Sequence, residues 1–597
     1  MIQSVLHIFH LVSNLWVRLS VRRQMQFWLL LSLMIVVSFI EVLSIGIVLP
    51  FVGAITAPEY IYEHPRLQSA IHALGISSSE GLLFPLTLGL IMITVIGAAL
   101  RIALTWISAR VTNMAGTDLA IDIFRLTLNQ PYVIHIARNS SQIVDGITVK
   151  AHAVTSLLVN SAMFVSAFIT LSAIVAALIV INPHIAMILL GGFSLIYFSI
   201  AWSTRQKLVA ASELVANGSV GELRILQEAL GGIRDVLISG SQPAYCRLLA
   251  KLSYRVRAQQ VALAVIASSP RYVIEALGIA LIAAVAYVLV LEPNGLARAL
   301  PVLGALVLGI QRLLPNLQQL YTTWTGILSQ QAAVEGALAL LSQPLPLYEI
   351  GSNISSLSFQ NQISLKKVCF RYTSSLPYVI QDIDLNIPKG ARFGFIGTTG
   401  SGKSTLLDIV MGLLSSTSGS VEIDGVALTD CNVRGWQMQL AHVPQSIYLS
   451  DSSIEENIAF GILPDQIDSE RVRQAAQHAQ IANAIESWPD GYKTNVGERG
   501  VRLSGGQRQR IGIARALYKA ANVIVFDEAT SALDNETEKS VMEAIDTLSQ
   551  DLTILVVAHR LTTLRGCDSI IELTQGKISR LGTYRELVEF PREMVQK

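Results

Sequence analysis

Apolar residues in this chain follow two rhythms, and the change comes near residue 340. Before it they run together in long stretches. A helix needs about 20 such residues to cross a hydrocarbon core. Six stretches meet that length: roughly 27–52, 83–107, 156–181, 185–204, 267–291 and 299–322, the last interrupted by Arg312 and Pro315. The connections alternate in length. Asn182–His184 is all that separates the third and fourth stretches, and "EPNGLAR" the fifth and sixth, whereas 108–155 and 205–266 are long and helical in pattern. The segment "LSQPLPLYEIGSNISSLSFQ", 341–360, is rich in Ser, Pro and Gly and reads as a linker. After it the apolar runs shorten. "VIVF", ending at Phe526, and "LTILVVAHR", ending at Arg560, suit strands buried on both faces. The pattern predicts a polytopic α-helical membrane domain of six spans at 1–340 and a cytosolic α/β domain at 361–597.

Charge orients the membrane half. Arg18, Arg22 and Arg23 precede the first span, and 205–266 carries Arg205, Lys207, Arg224, Arg234 and further basic residues. The loop 56–82 holds one arginine, Arg66, beside Glu59, Glu63 and Glu80. By the positive-inside rule both termini and the long helical connections are expected in the cytoplasm, and the short loops outside. The N-terminus has no small-residue cleavage site after a short apolar core, so a cytosolic lead-in and a retained span are expected. Composition agrees with a membrane half: 51% hydrophobic and 15% charged, against about 25% charged in soluble domains. A net charge of +1 gives no reason to expect a nucleic-acid partner. The four cysteines have no metal-ligand spacing and read as reduced and structural.

The chemistry lies in the second half. "FIGTTGSGKST", Phe395–Thr405, follows a strand pattern and precedes the helix-like "TLLDIVMGLL". It fits G-x-x-x-x-G-K-[ST] at Gly397, Gly402, Lys403 and Ser404. Thr398, Thr399, Gly400 and Ser401 fill the loop, and Thr405 follows it. Such a loop closes backbone N–H groups around phosphate oxygens, with the helix N-terminus adding a favourable dipole. Lys403 then reaches the terminal phosphates and Ser404 the Mg²⁺. Asp527 and Glu528 end an apolar strand, where a carboxylate meets Mg²⁺ and the next acid can orient an attacking water. "LSGGQRQR" places Ser504, Gly505, Gly506 and Gln507 before a helix, a second phosphate-receptive N-terminus.

With these motifs in order the chain resembles ATP-binding cassette proteins, whose signature is "LSGGQ". The resemblance implies that Tyr372 stacks on adenine. It implies that Gln445 senses Mg²⁺ and touches the membrane domain, that the "SALD" loop at Ser531–Asp534 places Asp534 among the nucleotide-binding residues, and that His559 is the γ-phosphate switch. The cofactors implied are ATP and Mg²⁺. In that family phosphate loop and signature come from opposite nucleotide domains. One of each here implies a half-transporter, and the intact Glu528 and signature favour a homodimer. "TNVGERG", Thr494–Gly500, resembles the loop with which the family's exporters contact intracellular helices. Short turns near Asn129–His135 and Gly231–Ser241 are the expected contacts.

Charged residues also stand inside the spans: Glu41 in the first, Arg101 in the second, Arg271 in the fifth with Glu275 four residues on, and Arg312 in the sixth. Three readings stay open. The arginines could snorkel to the inner interface, pair with Glu41 and Glu275 as structural glue, or line a cavity that grips an anionic lipid phosphate. In the outer loop Leu67, Ala70, Ile71 and Leu74 repeat at helical spacing between Pro65 and Gly75. They read as a short amphipathic helix, either lying on the outer membrane surface or packed as a cap. "SFIE…LPF", "PRY…E" and "RLLP", with this outer helix, are similar to the flippases for lipid-linked oligosaccharides of bacterial N-glycosylation. That resemblance implies that Arg101, Arg271 and Arg312 meet a pyrophosphate and that Leu67, Ile71 and Leu74 meet the lipid tail. It implies a flippase in the bacterial inner membrane, with another lipid, such as a lipid A type, or a drug as the alternative cargo.

Overall fold

A computed structural model describes residues 2–56, 59, 62, 79–181, 183–290, 295–344, 357–528, 535–546, 551–558 and 560–589. The chain divides into two compact units. One comprises Met1–Asn129 and Arg138–Pro344, the other Gln130–Ala137 and Leu345–Lys597. The expected linker falls largely outside the described residues.

The first unit is helical. An N-terminal helix, Ile2–Arg18, is followed by Val21–Thr56, Leu83–Leu128, Ala151–Ile181, Pro183–Gly231, Gln242–Val290 and Gly295–Ser329. Several are far longer than a bilayer requires. The 46 residues of Leu83–Leu128 extend about 70 Å at 1.5 Å per residue, roughly twice the hydrocarbon thickness. Span and extension are therefore one continuous helix. Among the described residues four helical stretches are long and apolar enough to cross a membrane: Val21–Ser44, Leu83–Leu128, Ser140–Ala177 and Gln242–Ala280. The expected fourth and sixth spans lie in Pro183–Gly231 and Gly295–Ser329, parts of which fall outside the described side chains. Pro315 does not interrupt the latter helix. The extensions share a core in which Leu15 of the N-terminal helix packs with Leu119, Ile123, Leu157, Leu328 and Val334.

The second unit is built on two sheets. β1 (Gln362–Phe370), β2 (Ile380–Pro388), β4 (Ser418–Ile423) and β5 (Val426–Ala427) form an antiparallel sheet in the order β2-β1-β4-β5. β3 (Arg392–Ile396), β6 (Leu440–Val443), β7 (Val523–Asp527), β8 (Thr553–Val557), β9 (Ser569–Thr574) and β10 (Lys577–Gly582) form the other, in the order β10-β9-β3-β8-β7-β6. From β9 to β6 its pairs are parallel. Its central strands are buried throughout, as their unbroken apolar runs require: all five residues of β8 and the first four of β7. Because β3 and β7 both flank β8 and run parallel to it, the residues after β3 and at the end of β7 emerge at the same edge. That is where open parallel sheets bind ligands.

Candidate functional site

The phosphate loop leaves β3 at that edge. Gly397 has φ 142°, and a Cβ there would run into the Leu573 carbonyl oxygen, so a side chain is excluded by both backbone and space. Gly402, at φ 102°, caps the helix Lys403–Val410. Lys403 is buried, and its Nζ donates to the Gly397 and Thr398 carbonyls at 2.8 and 3.1 Å. The ammonium is thereby held over the loop's interior. Ser401 is also buried, and its Oγ has no hydrogen-bond partner among the described residues. A buried hydroxyl without a partner is costly. With open backbone N–H groups at the helix start, it marks a loop shaped for oxygen-rich anions.

Across the edge, Asp527 Oδ1 lies 3.5 Å from Ser404 Oγ. Glu528 stands at φ 52°, a left-handed conformation that costs a non-glycine residue of order 1–3 kcal/mol. Its N–H donates to the Val557 carbonyl at 3.0 Å, which helps to hold it there. Gln445, beyond β6, donates through Nε2 to Glu528 Oε2 at 2.5 Å. Ser404, Asp527 and the Gln445 amide oxygen form a hard-oxygen set, which suits Mg²⁺. When bound there with nucleotide, the ion would neutralise charge on the β- and γ-phosphates. Tyr372 sits partly exposed beside the loop, its OH 3.3 Å from Thr405 Oγ1 and its ring edge-on to Phe370, leaving a face for a purine.

Ser504 caps the 15-residue helix Gly505–Lys519 reciprocally. Gln507 N donates to Ser504 Oγ at 3.2 Å, and Ser504 N donates to Gln507 Oε1 at 2.9 Å. Gly505, Gly506 and Gln507 form its first turn. Asp534 and His559 lie outside the described residues. In "TNVGERG" Glu498 and Arg499 are exposed, with Arg499 at φ 52°. The short helix Tyr132–Ala137, at the first expected turn, belongs with the second unit. Its Val133 packs on that unit's core beside Phe395, Leu406 and Trp436. At the second expected turn the helix Ile233–Ile238 leaves Leu237 and Ile238 exposed.

Sequence reasoning passed over Asp408. Burial, then the charge of Asp527, pushes its carboxyl up to about 6. The charges of Asp408 and Tyr372 add to burial in raising the Tyr132 phenol. Asp408 was visible as the one acid in "TLLDIVMGLL". Arg515 was passed over too, although an arginine among Ile511, Ile513, Ala514 and Ala516, all buried, signals a partner inside.

Two of the arginines inside the expected spans have acidic neighbours. Arg101 Nη2 lies 2.9 Å from Glu41 Oε1, and Arg271 Nε lies 2.8 Å from Glu275 Oε1. Of the three readings, mutual pairing describes both arginines. Both guanidinium groups stay about half exposed, at 49% and 59%, so the cavity reading stays open beside it. The backbone of Arg312 is helical, but its side chain is outside those described, as are Leu67, Ile71 and Leu74.

Residues 380–531 match the family model described as ABC transporter. The ATP-dependent lipid A-core flippase of Ralstonia nicotianae is 28% identical over 502 residues, 84% of each chain. That of Cupriavidus pinatubonensis is 30% identical over 365 residues, 61% of this chain and 62% of the other. A solved structure titled as a bacterial Atm1-family ABC exporter with ATP bound superposes with a TM-score of 0.74 at 22% identity, covering 93% of this chain and 96% of that one. Residues 380–531 thus resemble the ABC transporter family, in a chain that has the fold of an ABC exporter.

Proposed function

We propose that two copies of this chain form an ATP-driven lipid flippase of a bacterial inner membrane, both termini cytoplasmic, moving a lipid A-type glycolipid from the inner to the outer leaflet. The phosphate loop of one copy would face Ser504 of the other, so that ATP joins the two ATPase domains. Lys403 and the loop N–H groups bind the phosphates. Gln445 aligns Glu528, whose carboxylate orients the attacking water and takes its proton. Loss of the γ-phosphate then releases the pair, and the two membrane conformations exchange.

The cargo rests on one observation: the relatives compared above are named for lipid A-core. A polyprenyl pyrophosphate glycan, expected from the sequence, is the second reading. It draws its support from Arg101, Arg271 and Arg312, two of which are matched by carboxylates. The choice is testable in proteoliposomes holding the full chain, with a fluorescent lipid A-core analogue and a short-chain polyprenyl pyrophosphate sugar in competition. ATP-dependent movement of the first, unaffected by excess of the second, is expected. Movement of the polyprenyl substrate alone would reverse the assignment.

A further inference from the structure

The helix that begins at the signature carries a cation that no nucleotide explains. Arg515 lies ten residues beyond Gly505 on the helix Gly505–Lys519, turned inward. Its Nε donates to the Asn457 carbonyl at 2.9 Å, one Nη to the Tyr448 carbonyl at 3.0 Å and the other to Asn457 Oδ1 at 3.3 Å. The guanidinium carbon stands 4.5 Å from the centre of the Phe460 ring. All these acceptors are neutral carbonyls. Burial holds the guanidinium down to about 10, well below its ordinary value. A planar fork meets three such oxygens at once where an ammonium would not.

What the fork grips is the segment that carries Gln445. Asn457, fully buried, closes on that segment in turn. Its Oδ1 accepts from Ser450 N at 2.9 Å, and its Nδ2 donates to the Ser450 carbonyl at 3.0 Å. One turn before Arg515, Gly512 has no side chain, and Ile447 fills the space: a Cβ there would lie 2.5 Å from Ile447 Cδ1. Ile447, Tyr448 and Ser450 lie within five residues after Gln445, and Gln445 is bonded to Glu528. An unbroken run of contacts therefore leads from Glu528 through Gln445 to the helix whose first cap is Ser504.

We propose that Arg515 is a positioning residue. It locks the Gln445 segment to the signature helix, so that a displacement of Gln445 at its own site moves Ser504 toward or away from the site it completes on the second copy. This rests on the paired-ATPase reading. Arg515 acts through Gln445 and touches no phosphate.

The test uses the full chain in lipid nanodiscs, with ATP turnover, binding of a fluorescent ATP analogue and thermal unfolding measured on each variant. Arg515→Lys keeps the charge and loses the fork. It is expected to lower kcat about tenfold while the nucleotide Kd stays within about twofold. In a Gln445→Ala background Arg515→Lys is expected to cost nothing further, because the two residues lie on one route. Phe460→Leu, at a partly exposed ring, is a gentler variant should Arg515→Lys fail to fold. It is expected to lower kcat about threefold, with the same non-additivity. Wild-type kcat in both variants, a kcat loss that multiplies with Gln445→Ala, or a parallel loss of nucleotide binding would overturn the assignment. The parent reading fails separately. If mixed Lys403→Ala and Ser504→Arg copies recover no turnover in a background with native Arg515, the shared site is wrong, whatever Arg515 does.

Discussion

The two units differ at the residues expected to meet a ligand. In the second unit, the buried Ser401 hydroxyl has no partner among the described residues, and Lys403 is held on its own loop's carbonyls. Glu528 is kept in a strained backbone conformation. In the membrane unit, Arg101 and Arg271 each meet a carboxylate. An unpartnered hydroxyl beside a glycine-rich loop suits an oxygen-rich anion, whereas an arginine beside a carboxylate does not specify a ligand. The proposed fuel therefore has support in the geometry, whereas the proposed cargo rests on the names of relatives.

The largest expected effect tests the second unit. Glu528→Gln keeps the size and the Gln445 neighbour but removes the base. ATP turnover should fall at least about 100-fold, measured as phosphate release, while nucleotide still binds. Turnover within a few-fold of the parent would mean the water is oriented elsewhere.

Next comes the membrane unit. Glu41→Ala leaves Arg101 uncompensated in a membrane segment, a cost of about 2.5 kcal/mol on insertion scales. The double variant Glu41→Gln with Arg101→Met leaves no charge. The single variant should unfold at lower temperature in detergent than the double, and the double should still move lipid. A double variant that folds but moves nothing would return Arg101 to the cargo path and break the comparison.

A smaller effect sharpens the contrast. Ser401→Ala removes a hydroxyl that stabilises nothing within the fold. ATP affinity should drop about tenfold, the worth of one hydrogen bond to a charged group, with no loss of thermal stability. Lower stability with unchanged affinity would show that the hydroxyl serves the fold.

Asp408 gives the smallest. Its folded carboxyl, pushed up to about 6, lies above its unfolded value. The stability this group contributes is therefore present below about pH 4 and lost as pH rises through about 6. Asp408→Asn removes that loss. The variant should be more stable than its parent at pH 7.5, by about 1 kcal/mol after solvent screening, and the gap should close near pH 4. An equal gap at both pH values would point to packing instead of charge.

Legibility in the sequence follows the same division. Gly397, Lys403, Ser404, Ser504 and Asp527 stand out in the sequence because phosphate and Mg²⁺ demand fixed residue types at fixed spacing. The strands β7 and β8 were readable because burial on both faces leaves an unbroken apolar run. Arg515 and Asp408 were not singled out. Their roles depend on what lies across the fold: Tyr448 and Asn457 for one, Asp527 for the other. The partners of Arg101 and Arg271 were visible in the sequence only as open possibilities. Glu275 is four residues from Arg271, but Glu41 and Arg101 are on different helices, and only helix packing selects that pair.

The central claim is that ATP turnover at the Lys403–Glu528 site drives lipid across the membrane. It is tested most directly by recording phosphate release and lipid A-core translocation together in one preparation of proteoliposomes. Both rates should rise with ATP along the same curve, and both should vanish in Glu528→Gln. Turnover that proceeds at full rate while the labelled lipid stays in its original leaflet would contradict the account.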